Sequence, residues 1–299
     1  MIAAVVLSLA TAQADVSVAH RRVLTDDGLS LGLLRYSPPG HDARPPVLIV
    51  TELGFGREVA DPLARALVAD GRLVYVAQVR GQGASDSGAS LRSIVTFDFP
   101  AIARAIGGEV DLVAHGWLGT LALAASGHEL PVRRVVALEA PARFEVPSAM
   151  AEDLLSQGSF VALGLTPHGG ERFDALFVVG SQVRPEVLRA VKAGLRDVPA
   201  PMATEWLAWM RSGDLPLDGV GTVRSRLRSY DRDTLAVLGL GDGFAGPELC
   251  APLRDDARAK VKLHTFSRFD VGDDFSHLTS LVGSNAPRLI FPELVEFLR

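Results

Sequence analysis

The fold is decided by the stretch Val113-Ala114-His115-Gly116-Trp117-Leu118-Gly119. The run Asp111 to His115 predicts a buried strand, and the small residues from Thr120 to Ser126 predict a helix just after a sharp turn. The residue at the tip of that turn is Gly116. Because glycine has no side chain, a covalent nucleophile cannot act from this position.

Strand-like and helix-like segments alternate along the chain and predict an α/β fold with a mostly parallel sheet between helices. Strands are expected at Val16–Val23, Leu29–Tyr36, Val47–Thr51, Leu73–Gln78, Asp111–His115, Val132–Leu138, Thr234–Leu240 and Val261–Phe266. The first two flank the turn signal Asp26-Asp27-Gly28 and predict an antiparallel hairpin. A helix is expected over Asp61–Asp70, where apolar residues recur at helical spacing.

The pattern changes between Pro141 and about Tyr230, where strand patterns stop. Helices are expected there around Ala149–Leu155, Pro185–Arg196 and Met202–Ser212. We therefore expect a core of residues 15–140 and 231–299 and an all-helical insertion over residues 141–230, as in a lid.

Two tryptophans of this insertion, Trp206 and Trp209, lie three residues apart on one helical face. They either form a roof over a substrate or attach the insertion to the core, and apolar residues at this spacing usually pack.

Composition excludes several classes of protein. The chain has 299 residues, 48% of them hydrophobic and 22% charged, which is enough for one large core. Its 30 lysines and arginines are scattered and the net charge is −5, so we expect no nucleic-acid partner. The single cysteine, Cys250, excludes an internal disulfide and a multi-cysteine metal site, and we expect it to be packed or half-exposed on a helix.

The first fourteen residues are apolar and end in Ala12-Gln13-Ala14, which resembles the cleavage site of a secretory signal. Lysine and arginine are absent before Arg21. The run is shorter than the roughly 20 residues that a membrane span needs, so an integral membrane protein is not expected. The cleavage pattern favours export to the periplasm or the outside of the cell, and a cytoplasmic protein is the alternative.

Five segments, in chain order, resemble motifs of the α/β-hydrolase superfamily. They are Val47-LIVTELGFG at the His-Gly-x-Gly loop, Gln78-VRGQGASD at the D-x-R-G-x-G-x-S turn, Ala114-HGWLG at G-x-S-x-G, Gly239-LGDGFAGPE at the acid loop and Phe275-SHLTSLVG at the histidine segment. The histidine segment, together with a weaker match at Trp209-MRSGDLPLDG, is most similar to lipases and depolymerases related to polyhydroxyalkanoate synthases. The resemblance covers about Val16 to Leu298 and implies the α/β-hydrolase fold with a helical lid.

The resemblance also implies a site. It places Gly116 where the nucleophile stands at the elbow between strand and helix, so that the nucleophile is lost. Asp242, between two glycines, takes the place of the acid, and His277 takes that of the general base. The backbone amides of Leu53 and Trp117 take the place of the oxyanion hole, which does not depend on side-chain identity.

Other positions depart from the family pattern. The replacements are Thr51-Glu52 for His-Gly, Gln78 for an aspartate, Ala114 and Leu118 for the two elbow glycines, and Thr279 for an acid two residues after the histidine. Glycine at position 118 would allow helix and strand to approach closely. Leu118 therefore demands a shifted backbone or a slot in the neighbouring packing.

Three serines are candidates for a substitute nucleophile. Gly28-LSLG matches G-x-S-x-G around Ser30, but a strand and not a helix follows it, so the context is wrong. Ser85 and Ser276 lie in loops where the sequence indicates no base that would activate them.

Three functions from different classes remain open. The first is a non-catalytic protein of esterase or lipase ancestry that binds a small apolar or ester-like ligand, or a partner, between sheet and lid. The second is a non-covalent hydrolase, lyase or cofactor-free oxygenase that uses a His277–Asp242 dyad. The third is an ester hydrolase with an unrecognised nucleophile. Neither a metal nor an organic cofactor is implied, since the sequence has no ligand cluster and no phosphate-cradling glycine loop.

Overall fold

A computed structural model describes residues 16–40, 43–143, 173–174, 176–178, 182–272 and 274–299. The signal-like segment 1–14 and the helix expected around Ala149–Leu155 lie outside the described residues, as does a large part of the expected lid.

The centre of the fold is an eight-stranded sheet with the order β1-β2-β4-β3-β5-β6-β9-β10. Its strands are β1 (Ser17–Leu24), β2 (Ser30–Ser37), β3 (Val47–Val50), β4 (Val74–Gln78), β5 (Val110–His115), β6 (Val132–Leu138), β9 (Asp233–Gly239) and β10 (Val261–Phe266). β1 pairs antiparallel with β2 across the predicted turn, and β2 pairs antiparallel with β4. The remaining pairs are parallel, which confirms the expected mostly parallel sheet.

The innermost strands follow from their composition. All residues of β3 and β5 are buried, as expected for apolar runs covered on both faces of a parallel sheet. Parallel pairing brings their carboxyl ends to one edge of the sheet. Residues that are far apart in the chain, just after β3, β5, β6 and β9, therefore meet at that edge.

Helices surround the sheet. They are α1 (Arg57–Ala69), α2 (Phe99–Ile106) after a π-helical turn (Ile94–Asp98), α3 (Gly116–Ala125), α4 (Pro185–Gly194), α5 (Ala200–Ser212), α6 (Val223–Ser229), α7 (Pro247–Cys250), α8 (Pro252–Asp256), α9 (Arg268–Val271), α10 (Thr279–Val282), α11 (Ala286–Leu289) and α12 (Phe291–Leu298). α1 packs with α10 to α12, and α3 packs on β5 and against α6. Cys250 is buried at the end of α7, in agreement with the expectation of a packed cysteine.

The segment between β6 and β9 contains α4, α5 and α6, but the expectation that it lacks strands was wrong. Two short strands, β7 (Pro216–Leu217) and β8 (Gly221–Thr222), form an antiparallel hairpin there. Gly219 and Gly221 turn the chain with φ of +74° and +97°. Strands of two residues are too short to show the alternating pattern by which strands are recognised.

Within the described ranges, none of the helices combines the length and the apolar composition that crossing a membrane requires.

Candidate functional site

The turn between β5 and α3 has the geometry expected of a nucleophile elbow. Gly116 is the first residue of α3, four residues before the predicted start of this helix, and its φ is +68°. A Cβ built on Gly116 would lie 3.0 Å from His277 Nε2 and would overlap the Glu52 carboxylate. Residue 116 thus faces the imidazole, and as a glycine it places no side chain there.

The close approach of helix and strand occurs one residue later than the family pattern suggested. A Cβ on Gly119 would lie 2.6 Å from the carbonyl carbon of Ala114, a contact that only glycine permits. Leu118 is itself buried, with 1% of its surface exposed. The leucine therefore occupies a slot in the core, and Gly119 provides the tight contact.

His277 and Asp242 lie together as a buried pair. His277 Nδ1 lies 2.9 Å from Asp242 Oδ2. Asp242 Oδ1 accepts hydrogen bonds from the amides of Phe244 (2.7 Å) and Ala245 (2.8 Å), which fix the carboxylate. Burial alone lowers the pKa of His277, but the charge and hydrogen bond of Asp242 and the charge of Glu52 raise it above its ordinary value.

The amides expected to form the oxyanion hole do converge, and Glu52 occupies the space between them. Glu52 Oε1 accepts from the amides of Leu53 (2.8 Å) and Leu118 (3.2 Å), and Oε2 accepts from the amide of Trp117 (2.5 Å). The side chain of Glu52 is fully buried. A carboxylate of the protein itself therefore occupies the space that these three amides face.

The same carboxylate faces the histidine. Glu52 Oε2 lies 3.7 Å from His277 Nε2, which has no hydrogen-bond partner among the described residues. Burial raises the pKa of Glu52 to about 7, although the charge of His277 and the three backbone amides oppose this shift. Glu52, His277 and Asp242 thus form a buried row of carboxyl, imidazole and carboxylate.

Two further buried groups, His115 and Glu139, lie behind this row and were missed by sequence reasoning. His115 Nδ1 accepts from the amide of Glu52 (3.4 Å), so its proton is on Nε2, which donates to the carbonyl of His277 (2.8 Å). Glu139 Oε2 accepts from Ser280 Oγ (2.8 Å). Burial, and then the charge of His277, hold the pKa of His115 well below its usual range. Burial and the charge of Asp242 hold the pKa of the Glu139 carboxyl group well above its usual value.

A buried cluster of histidine and glutamate side chains also suggests a metal site. Donor atoms of His115, Glu139 and His277 lie within 4.8 Å of one another. However, the nitrogen of His115 that would have to bind the metal already carries a proton and donates it to a carbonyl. These residues therefore fit a hydrogen-bond network better than a metal centre.

The chain is similar to known proteins in its fold. No family model and no curated protein sequence matches the chain. An esterase from Exiguobacterium antarcticum superposes with a TM-score of 0.72 at 14% identity, over 94% of this chain and 99% of that chain. A thermophilic esterase from Thermogutta terrifontis gives a TM-score of 0.65 at 19% identity, over 94% of this chain and 98% of that one. A meta-cleavage product hydrolase from Pseudomonas fluorescens gives 0.65 at 19% identity, over 93% and 96%.

The chain has the α/β-hydrolase fold. In this fold the loop after β3 faces the elbow after β5, which explains why Glu52 reaches the amides of α3. Asp242, after β9, and His277, after β10, reach the same corner from the other half of the chain.

Aromatic rings cover this corner of the α/β-hydrolase fold. The Trp117 ring contacts Trp209 (5.3 Å between centroids) and Trp206 (6.4 Å), both from α5. Phe244 and Phe177 lie edge-on to the His277 ring at 5.2 and 5.7 Å. Trp206 and Trp209 are buried, and their contacts favour the interpretation that they attach α5 to the elbow.

The hydroxyl groups of the three candidate serines form hydrogen bonds with groups other than His277. Ser30 Oγ accepts from Arg22, Ser85 Oγ donates to the carbonyl of Gln78, and Ser276 Oγ donates to the carbonyl of Phe177. In the part of the chain that the structure describes, the His277 ring has no hydrogen bond to a hydroxyl or thiol.

Proposed function

We propose that this protein is a non-catalytic α/β-hydrolase-fold protein of esterase or lipase ancestry, which binds a small apolar ligand or a partner. The observation that carries the proposal is the Glu52 carboxylate, which lies across the backbone amides of Leu53, Trp117 and Leu118. We regard residues 141–230 as its lid.

Serine-type ester hydrolysis needs two things at this corner. One is a side chain at position 116 that attacks the carbonyl carbon, and the other is a pair of free amides that receive the carbonyl oxygen. Gly116 supplies no attacking group, and the amides already bind Glu52. The loss of either feature would slow the reaction strongly, and this chain combines both losses.

Binding is the function that the remaining features support. The aromatic side chains beside the site, Phe177 and Phe244, pack against the His277 ring and make its surroundings apolar, which suits an apolar ligand. We expect mass spectrometry of the protein, purified without added ligand and sprayed under native conditions, to detect a retained small apolar molecule. Detection of the protein mass alone, together with an unchanged melting temperature in a screen of apolar compounds, would contradict a ligand-binding role. Binding of a partner would then be the remaining form of the proposal.

The first test is labelling with a fluorophosphonate, which reacts only with an activated serine. The wild type should remain unlabelled. The matched positive control is the double variant Glu52→Ala/Gly116→Ser, which frees the amides and places a hydroxyl beside His277. Labelling of the wild type would contradict the proposal and indicate an ester hydrolase with an unrecognised nucleophile.

A second candidate function is a non-covalent reaction in which His277 and Asp242 activate water. The specific observation in its favour is His277 Nε2, which is buried and lacks a hydrogen bond to the described residues. Turnover of short-chain p-nitrophenyl esters separates the two candidates. Equal background rates for the wild type and His277→Ala support the non-catalytic protein, whereas turnover that disappears in His277→Ala supports the dyad.

A further inference from the structure

We propose that Glu52 is an internal ligand of a carboxylate-binding pocket, and that by filling this pocket it keeps a latent water-activating dyad of His277 and Asp242 silent. The pocket itself accepts small monocarboxylates once the Glu52 side chain is removed. This inference goes beyond the proposed function, because it assigns the silence of the wild type to Glu52 as well as to Gly116.

The pocket presents backbone N–H donors to the carboxyl group of Glu52. Leu53 contributes its amide from the loop after β3, and Trp117 and Leu118 contribute theirs from the first turn of the ten-residue helix α3. The amino terminus of a helix favours negative charge, because its first N–H groups have no partner within the helix. The donors are divided between the two oxygens of Glu52, so a planar carboxylate satisfies them all.

A second observation points into the same pocket from the opposite side. His277 Nε2 is buried, lacks a hydrogen-bond partner among the described residues, and lies 3.7 Å from Glu52 Oε2. Its other nitrogen is held by Asp242 at 2.9 Å. An imidazole that is oriented on one side and free on the other is the arrangement required of a general base.

Removal of the Glu52 side chain would vacate volume between the amides and His277. Gly116 contributes no side-chain atoms between the amides and His277, so the vacated volume lies directly beside Nε2. The carbonyl oxygen of an ester can then accept from the freed amides of Leu53 and Trp117, while a water molecule donates to His277 Nε2.

The reaction in that state is ordinary ester hydrolysis. The water oxygen bonds to the ester carbonyl carbon, and its proton passes to His277 Nε2. The carbon–alcohol bond then breaks, and the departing alcohol takes the proton from Nε2, so that an acid and an alcohol leave and the histidine is restored. Serine hydrolases that lack a triad member still exceed the uncatalysed reaction by about 10³- to 10⁴-fold, which is the upper range to expect here.

The first experiment compares Glu52→Ala with its isosteric control, Glu52→Gln, in the hydrolysis of p-nitrophenyl acetate. We expect at least a tenfold increase in rate over the wild type for Glu52→Ala and a smaller increase for Glu52→Gln, which keeps the bulk of the side chain but offers the amides one acceptor oxygen in place of two. The increase should disappear in Glu52→Ala/His277→Ala. A folded Glu52→Ala protein with the wild-type rate would overturn the latent dyad.

The second experiment measures the pocket without relying on activity. Titration with formate or acetate should raise the melting temperature of Glu52→Ala saturably and inhibit its ester hydrolysis at the same concentrations. The wild type should show neither effect. Chloride at equal ionic strength is the control for a general salt effect, and equal responses to chloride and formate would overturn the carboxylate pocket.

Glu52→Gly is measured in parallel in case Glu52→Ala does not fold. Folding of either variant only with excess formate would support the proposal, and failure of both to fold under that condition would overturn it. The outcomes are separable from those of the proposed function. Labelling of the wild type by a fluorophosphonate contradicts the non-catalytic protein, whereas a folded but silent Glu52→Ala contradicts only the internal ligand.

Discussion

The two ends of strand β5 both carry buried ionisable side chains, but they are organised in different ways. At the amino end, Asp111 accepts from Arg72 (2.5 Å) and from two nitrogens of Arg133 (2.8 and 2.7 Å). Both arginines also donate to the carbonyl of Leu298, at 2.9 Å each. Opposite charges and these shared hydrogen bonds make this end a structural clamp on the final helix.

The carboxyl end of the same strand lacks this balance. Three carboxyl groups, of Glu52, Glu139 and Asp242, are buried around a single imidazole whose pKa is raised, that of His277. The pKa values of Glu52 and Glu139 are raised by burial, and that of His115 is lowered. Imperfect compensation of buried charge is typical of functional sites.

The largest loss of stability is expected when the ion pairs at the amino end of β5 are removed. Asp111→Ala leaves Arg72 buried without its carboxylate, so we expect the free energy of unfolding to fall by about 3–5 kcal/mol in urea denaturation. The control is Arg65→Ala, which removes an exposed pair with Asp61 and should change stability by less than about 1 kcal/mol. A loss for Asp111→Ala no larger than that of the control would show that the clamp is not structural.

A smaller effect is expected at the elbow. Gly116→Ser places a side chain at a φ of +68° and against Glu52, so we expect a loss of about 1–3 kcal/mol. In a double-mutant cycle, Glu52→Ala should relieve the clash but not the backbone strain, giving a coupling energy of about 0.5–3 kcal/mol. Unchanged melting of Gly116→Ser would mean that residue 116 does not stand at the tip of the turn.

The smallest effect is a dependence of stability on pH. Glu52 has an ordinary pKa of 4.5 and a folded pKa of about 7, so the stability that its proton contributes is full below pH 4.5 and is lost as pH rises through 7. The raised pKa values of His277 and Glu139 act with the same sign. The lowered pKa of His115 has the opposite sign and removes stability as pH falls below 6.5.

Urea denaturation at a series of pH values measures this dependence. The free energy of unfolding of the wild type should fall between pH 6 and pH 8, with a slope from Glu52 of at most about 1.4 kcal/mol per pH unit. Glu52→Gln should have a shallower slope over the same interval. Identical slopes in the two proteins would show that Glu52 does not titrate there.

Sequence reasoning located the strands of the central sheet and the opening hairpin because each depends on a local pattern, whereas the family resemblance suggested the Asp242–His277 pair. Continuous apolar runs predicted β3 and β5, and glycines on both sides of Asp242 predicted the loop after β9. Gly116 was found for the same reason, since a strand, a turn and a helix follow one another without interruption. The relation between Gly116 and His277, 161 positions apart, came from the family resemblance.

The role of Glu52 could not be derived from a local pattern. The sequence indicated only that Thr51-Glu52 departs from a family motif, and the three amides that bind the carboxylate come from two separate segments. One signal was available: a glutamate inside the apolar stretch Val47–Gly56 must find partners if it is buried. His115 and Glu139, at the ends of β5 and β6, carried the same signal.

The aromatic cover of the elbow also determines how this molecule behaves in ultraviolet light. Trp117, Trp206 and Trp209 are all the tryptophans of the chain, and they pack within one cluster beside Gly116. Emission excited at the red edge of protein absorption therefore originates at this one corner. A change in its wavelength or intensity reports events at the elbow, while loosening of β1 or of the final helix leaves the spectrum unaltered.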